Sequence, residues 1–207
     1  MQESRSRENA SACALLMPAG SGTLVASAAL RQHHSHHLLV PAPCYLLLLR
    51  APDERLESGV RYEIMEPRHG RRRLTQHFHN ATAFVRALRR GDARAAHVWR
   101  RSQSKRDPGD DGSFFLTPAV FYLDRVAPAP VAMLCHRRLG AELEARVPRL
   151  DAGLEASVPH AYHRNERRAR ASPGVMARST LDAEGRAWFR SLCARDVALV
   201  DRWCRRR

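Results

Sequence analysis

Apolar and polar positions along this chain follow two periods, one of strands and one of helices. Cys44 to Leu49, CYLLLL, is an unbroken apolar run of strand length, the pattern of a central strand covered on both faces. Arg50 ends it. Pro52, Asp53 and Glu54 follow, a proline suited to a first helical turn and two carboxylates near a helix amino end. Ala12 to Met17, ACALLM, predicts another strand, ahead of the loop PAGSGTL and a helical stretch from Leu24 to Arg31. Pro130 to Cys135, PVAMLC, reads as a third buried strand, and FFLTP and VFYLD as short extended pieces around Pro118.

Helical periodicity marks three further segments. Asn80 caps ATAFVRALRR, in which Ala83, Phe84, Ala87 and Leu88 share one face, and Gly91 ends it. Leu139, Leu143 and Val147, four apart, predict a helix from Arg137 to Val147. The closing helix has Thr180 as cap, Asp182 and Glu184 in its first turn, and a stripe of Trp188, Leu192, Leu199 and Trp203. Asp196 falls on that stripe, where an acid is expected to pair with a cation or backbone donor in a structural role. Glu63 to His79, Arg100 to Ser113 and Asp151 to Pro173 read as loops, and residues 1 to 11 as a polar, disordered tail. The expected organisation is one domain over residues 12 to 204, with no internal repeat.

Composition narrows the partners. The chain has 207 residues, 44% hydrophobic and 27% charged, with a net charge of +14, a globular composition. Lys105 is the only lysine, so 34 of the 35 basic residues are arginine. A generally basic surface and biased codon usage explain this more simply than a dedicated nucleic-acid footprint, because no stacking aromatics interleave the arginine clusters. The five cysteines, odd in number and widely spaced, without a CxxC pair, read as small core residues rather than as a disulfide scaffold or a thiolate metal site. No stretch approaches the roughly 20 apolar residues that span a bilayer, and the polar start MQESRSRENAS predicts neither signal peptide nor anchor. HHSHH, His33 to His37, has no carboxylate or cysteine beside it and reads first as solvated surface.

Two stretches carry anion chemistry. Strand, glycine loop and helix in that order form a cradle at Gly20, Ser21, Gly22 and Thr23, because backbone N–H groups and the helix amino end point at the loop. A Walker motif would need a lysine beside the hydroxyl residue, and Gly22-Thr23 lacks it. The second stretch is the strand end at Arg50. Ligands of open α/β sheets bind at that edge, and Arg50, Arg55 and Ser58 are expected to converge on an anion there, a phosphate first of all.

Pro18-Ala19-Gly20-Ser21-Gly22-Thr23-Leu24 and Arg50-x-Pro52-x-x-Arg55-x-x-Ser58 together resemble the sulfotransferase family of the Golgi carbohydrate type, including its algal and bacterial members. LTPAVFYLD, PVAMLCHRRLGAELEARV, VPHAYHRNERR and the last helix, with Phe189, Asp196 and Val200, extend the resemblance over roughly residues 12 to 204. It implies an α/β, P-loop-kinase-like three-layer sandwich with a central, mainly parallel sheet. It also implies transfer of a sulfuryl group from 3′-phosphoadenosine-5′-phosphosulfate (PAPS), as co-substrate and without a metal, to an acceptor hydroxyl of a carbohydrate. Gly20 to Thr23 would hold the 5′-phosphosulfate, and Arg50 and Ser58 the 3′-phosphate. His37 would be the catalytic base. The family's loop lysine is absent here, since Pro18 runs directly into Ala19; Ala119 stands for its glutamine and Arg167 for its serine.

The arginine surplus suits a polyanionic acceptor, and no specific nucleic acid is expected. The location is the Golgi lumen if an anchor has been lost, and otherwise the cytoplasm. Two competing readings are a catalytically weak PAPS-binding relative, which tolerates the missing lysine, and a basic nucleic-acid-binding protein.

Overall fold

The computed structural model describes residues 14–16, 45–65, 74–103, 114–129, 131–139, 141 and 171–204. Three strands, β1 (Ala14–Leu16), β2 (Tyr45–Leu49) and β3 (Val131–Cys135), form one sheet in the order β1-β2-β3. Both pairings are parallel: Ala14 faces Tyr45, and Leu49 faces Cys135. The apolar run read as a central strand is thus the middle strand, and the two predicted strands around residues 12–17 and 44–49 are parallel neighbours. Tyr45, Leu47 and Leu49 lie on one face of β2, as a period of two requires, and pack with Ala119, Tyr122 and Val126; Leu48, on the other face, is fully buried.

α1 (Pro52–Met65) begins two residues after Arg50. Its first turn holds Pro52, Asp53 and Glu54, and the Arg55 N–H donates to the Ala51 carbonyl at 2.9 Å. It runs three residues into the segment read as a loop from Glu63. There the buried Glu63 carboxylate accepts N–H bonds from Leu74 and Thr75 at 3.2 and 2.9 Å, tying the helix end to the next described segment. α2 (Ala81–Arg89) follows, with Asn80 Oδ1 accepting from the Ala83 N–H at 2.6 Å. Gly91, at φ +76°, turns the chain out of it. α3 (Ala93–Gln103) absorbs Arg100 to Gln103, which the sequence placed in an exposed loop; Ser102 in its last turn is buried.

The pieces around Pro118 are helical, not extended. Phe114–Leu116 is a 3₁₀ turn and Ala119–Val126 is an α-helix, α4, with Ala119, Tyr122 and Val126 inward at helical spacing. Its initiation depends on a carboxylate brought from Asp196, a long-range cap that no local pattern displays. After β3 comes a 3₁₀ turn, His136–Arg138; most of the helix expected from Arg137 to Val147 lies outside the described residues.

The expected closing helix is two elements, and a further short helix precedes them. α5 (Pro173–Ser179) ends at Thr180, so Thr180 terminates one helix rather than starting the next. Asp182 caps α6 (Ala183–Leu192), its Oδ1 accepting from the Gly185 N–H at 2.7 Å, and the chain breaks at Cys193 before α7 (Ala194–Cys204). The break rotates the inward stripe. Gly185, Phe189 and Asp196 are buried, whereas Leu192 and Trp203, assigned to the apolar stripe, are exposed. The larger core joins Leu56 and Val60 of α1 to Phe84 and Val85 of α2, to Phe115 and to Phe189.

Candidate anion-binding site

Two parallel strands deliver their carboxyl ends side by side. β2 and β3 are in register at Leu49 and Cys135, so the next residues, Arg50 and His136, leave the sheet at the same edge. Each apolar strand needs a polar exit, and both exits are basic: Arg50 from one, His136, Arg137 and Arg138 from the other. The start of α1 and the end of α7 close the space between them. The result is a cavity of about 110 Å³ whose wall includes Arg50, His136, Arg137, Arg138 and Arg190, with Glu54 and Asp201. Four guanidiniums against two carboxylates leave a net charge of +2 with His136 neutral.

Arg50 is 7% exposed, and its Nε lies 4.0 Å from Glu54 Oε2. Glu54 also pairs with Arg137, so one carboxylate serves two cations. Arg190 binds Asp53 at 3.0 Å; Arg186 bridges Asp53 at 3.1 Å and Glu57 at 2.6 Å. These pairs fasten the first turn of α1 to α6, and fix Arg190 at the cavity wall. Burial first, then the neighbouring Arg50 and Arg137, push the His136 imidazole down to about 3, so it is neutral at pH 7.

Arg50, expected as an anion anchor, lies in this wall. Ser58 is one turn beyond Glu54 on the same side of α1, half-buried and not among the residues lining the cavity. Arg55 does not join them. It is turned away around the helix and is 2% exposed, with Nη2 donating to Asp196 Oδ2 at 2.8 Å and Nε to the Phe115 carbonyl at 2.9 Å. Asp196 also accepts the N–H groups of Ala119 and Val120 at 2.9 and 3.1 Å. Arg55 therefore holds the fold together, and the expectation that it grips an anion with Arg50 is corrected; Asp196 has the structural role expected of it. Gly20, Ser21, Gly22, Thr23 and His37 lie outside the described residues. β1 is parallel to β2, so Leu16 ends its strand toward the same sheet edge as Leu49.

Sequence reasoning missed His136, Arg137, Arg138 and Arg190. The available signal was that PVAMLC, like CYLLLL, runs straight into basic residues. It also misread two cysteines: Cys135, ending β3, and Cys204, ending α7, form a disulfide in the cavity wall. Among the described residues no cluster of three or more His, Cys, Asp or Glu could hold a metal ion, and no helix is long and apolar enough to cross a membrane. Comparisons of the chain with family models, with curated proteins and with solved structures find no match.

Proposed function

We propose that the chain is a PAPS-dependent sulfotransferase on a P-loop-kinase-like α/β sandwich, acting on an acceptor hydroxyl of a carbohydrate. The observation that carries this reading is the place of Arg50: buried, at the carboxyl end of the middle strand of a parallel sheet, in the wall of a cationic cavity. Phosphates bind at that edge in open α/β sheets, and arginine suits them through charge-assisted, geometrically specific hydrogen bonds. The donor set fits a phosphate. At about 110 Å³ the cavity matches a phosphate-sized group rather than a whole nucleotide, which needs several hundred Å³. The 3′-phosphate is the part assigned to it.

In the reaction the acceptor oxygen forms a bond to sulfur as the bond from sulfur to the 5′-phosphate oxygen breaks, and the hydroxyl proton passes to a base, assigned to His37. Gly20 to Thr23 would hold the 5′ end by backbone N–H groups and two hydroxyls. Arg50, in the cavity wall, would hold the 3′-phosphate and distinguish PAPS from ATP, while the part assigned to Ser58 rests on the resemblance alone, since it does not line the cavity. The missing lysine beside Pro18 favours a second reading, a relative that binds the nucleotide with little turnover, since a cation on developing charge is commonly worth a few kcal/mol of barrier.

The test is release of adenosine 3′,5′-bisphosphate from PAPS, with and without carbohydrate acceptors, by the natural chain and by a variant with Lys inserted between Pro18 and Ala19. The expected result is acceptor-stimulated release that the insertion raises by about tenfold or more. Tight nucleotide binding with no release by either protein would favour the second reading, and neither binding nor release would overturn both.

A further inference from the structure

The disulfide occupies an unusual place for a structural staple. Cys135 is 2% exposed, and Cys204 is half-buried in the last helical turn of the described chain; their Cα atoms are 5.6 Å apart and 69 residues separate them in sequence. Both line the cavity that contains Arg50, and the last turn of α7 adds Val200 and Asp201 to the same wall. Asp196, near the start of α7, fixes that end through Arg55 and the α4 backbone. The disulfide is the covalent fastening of the other end.

We infer that Cys135–Cys204 is a thiol–disulfide exchange site coupled to anion binding in the cavity, with a dithiol as its reductant. This rests on the cavity being an anion site. Cys204, the more exposed residue of the pair, takes the attack. A thiolate of the dithiol bonds to Cys204 Sγ as the bond to Cys135 Sγ breaks, and the electron pair leaves on Cys135. The second thiol of the reductant then closes its own disulfide and releases Cys204, and Cys135 takes a proton from solvent. The protein disulfide gains two electrons and the dithiol loses two. Negative charge therefore develops on Cys135 in the cavity lined by Arg50, Arg137, Arg138 and Arg190, which favours it as leaving group. A bound anion engages the same cations and opposes that departure. At equilibrium, reduction unfastens the last turn of α7, which carries Val200 and Asp201 in the cavity wall, and so weakens the anion; by reciprocity the bound anion favours the disulfide. Cys193 plays no part in the exchange; its thiol is pushed up to about 12, chiefly by burial.

The test uses the full chain and adenosine 3′,5′-bisphosphate as probe. Thiols released by dithiothreitol are alkylated and mapped by mass spectrometry, with and without saturating probe, and probe affinity is measured by calorimetry on the oxidised protein, the reduced protein and Cys204→Ser. The expected result is that Cys135 and Cys204 resist alkylation until reductant is added, that the probe slows their release, and that reduced and Cys204→Ser proteins bind it at least about fivefold more weakly. Cys135 and Cys204 freely alkylated in the oxidised protein, or equal probe affinity in both redox states, would overturn the inference and leave the anion site standing. No binding in either state would overturn the anion site and the coupling with it.

Discussion

Asp196 shows how much one buried side chain can organise. Its carboxylate, 1% exposed, accepts from the Arg55 guanidinium and from the N–H groups of Ala119 and Val120, so a single anion neutralises a buried cation and starts α4. Replacing both members of such a pair with apolar groups is often tolerated, but removing one partner strands the other. Asp196→Ala is expected to cost about 3 to 5 kcal/mol in urea unfolding; a loss within about 0.5 kcal/mol, the ordinary surface range, would contradict the assignment. His136 gives a pH signature of opposite origin. Its folded value is about 3 against 6.5 in the unfolded chain, so between those limits the unfolded state binds the extra proton. Stability is complete above pH 6.5 and falls as pH drops toward 3, with a slope of up to about 1.4 kcal/mol per pH unit. Unfolding measured at pH 7.5, 6.5 and 5.5 should show a shallower decline in His136→Gln than in the natural chain. Parallel declines would mean that the imidazole is not held neutral.

At the scale of elements, α1 carries the site and pays no attention to simple propensity. Gly59 lies inside the helix, where alanine would ordinarily be better by about 1 kcal/mol. A Cβ there would stand 2.0 Å from Phe115 Cγ, because the 3₁₀ turn Phe114–Leu116 crosses the helix at that point. Overpacking of this kind costs about 1 to 3 kcal/mol and outweighs the propensity gain. Gly59→Ala should lower the denaturation midpoint, and Phe115→Leu in the same chain should restore part of it; a more stable Gly59→Ala would show that the close crossing is wrong. Elements with local signals were legible in the sequence. Pro52, Asp53 and Glu54 announce the start of α1, and Asn80 and Gly91 bracket α2, because cap and terminator act on neighbouring residues. Elements decided at a distance were not. VFYLD has the aromatic and β-branched content of a strand and becomes helix under Asp196, and the break at Cys193 splits a periodic stretch whose two halves bury different stripes.

At the scale of the molecule, the arginine surplus acts by where the sheet gathers it rather than by its total. Arg50 was legible because an apolar run that ends on a cation before a capped helix is a local pattern. Arg137, Arg138 and Arg190 were not, since only the parallel register of β2 with β3 and the docking of α6 on α1 bring them to the same edge. Arg55 was misassigned for the same reason, its partner Asp196 being 141 residues away. The role proposed for this edge is to bind the 3′-phosphate of a nucleotide through Arg50. The direct measurement is a calorimetric titration of adenosine 3′,5′-bisphosphate into the natural chain and into Arg50→Ala, with a thermal melt to verify that the variant is folded. Micromolar binding, about 8 kcal/mol, weakened by about 1.5 to 3 kcal/mol in the variant, is the expected result; no binding to the natural chain, or equal binding to a folded variant, would overturn the proposed role of Arg50.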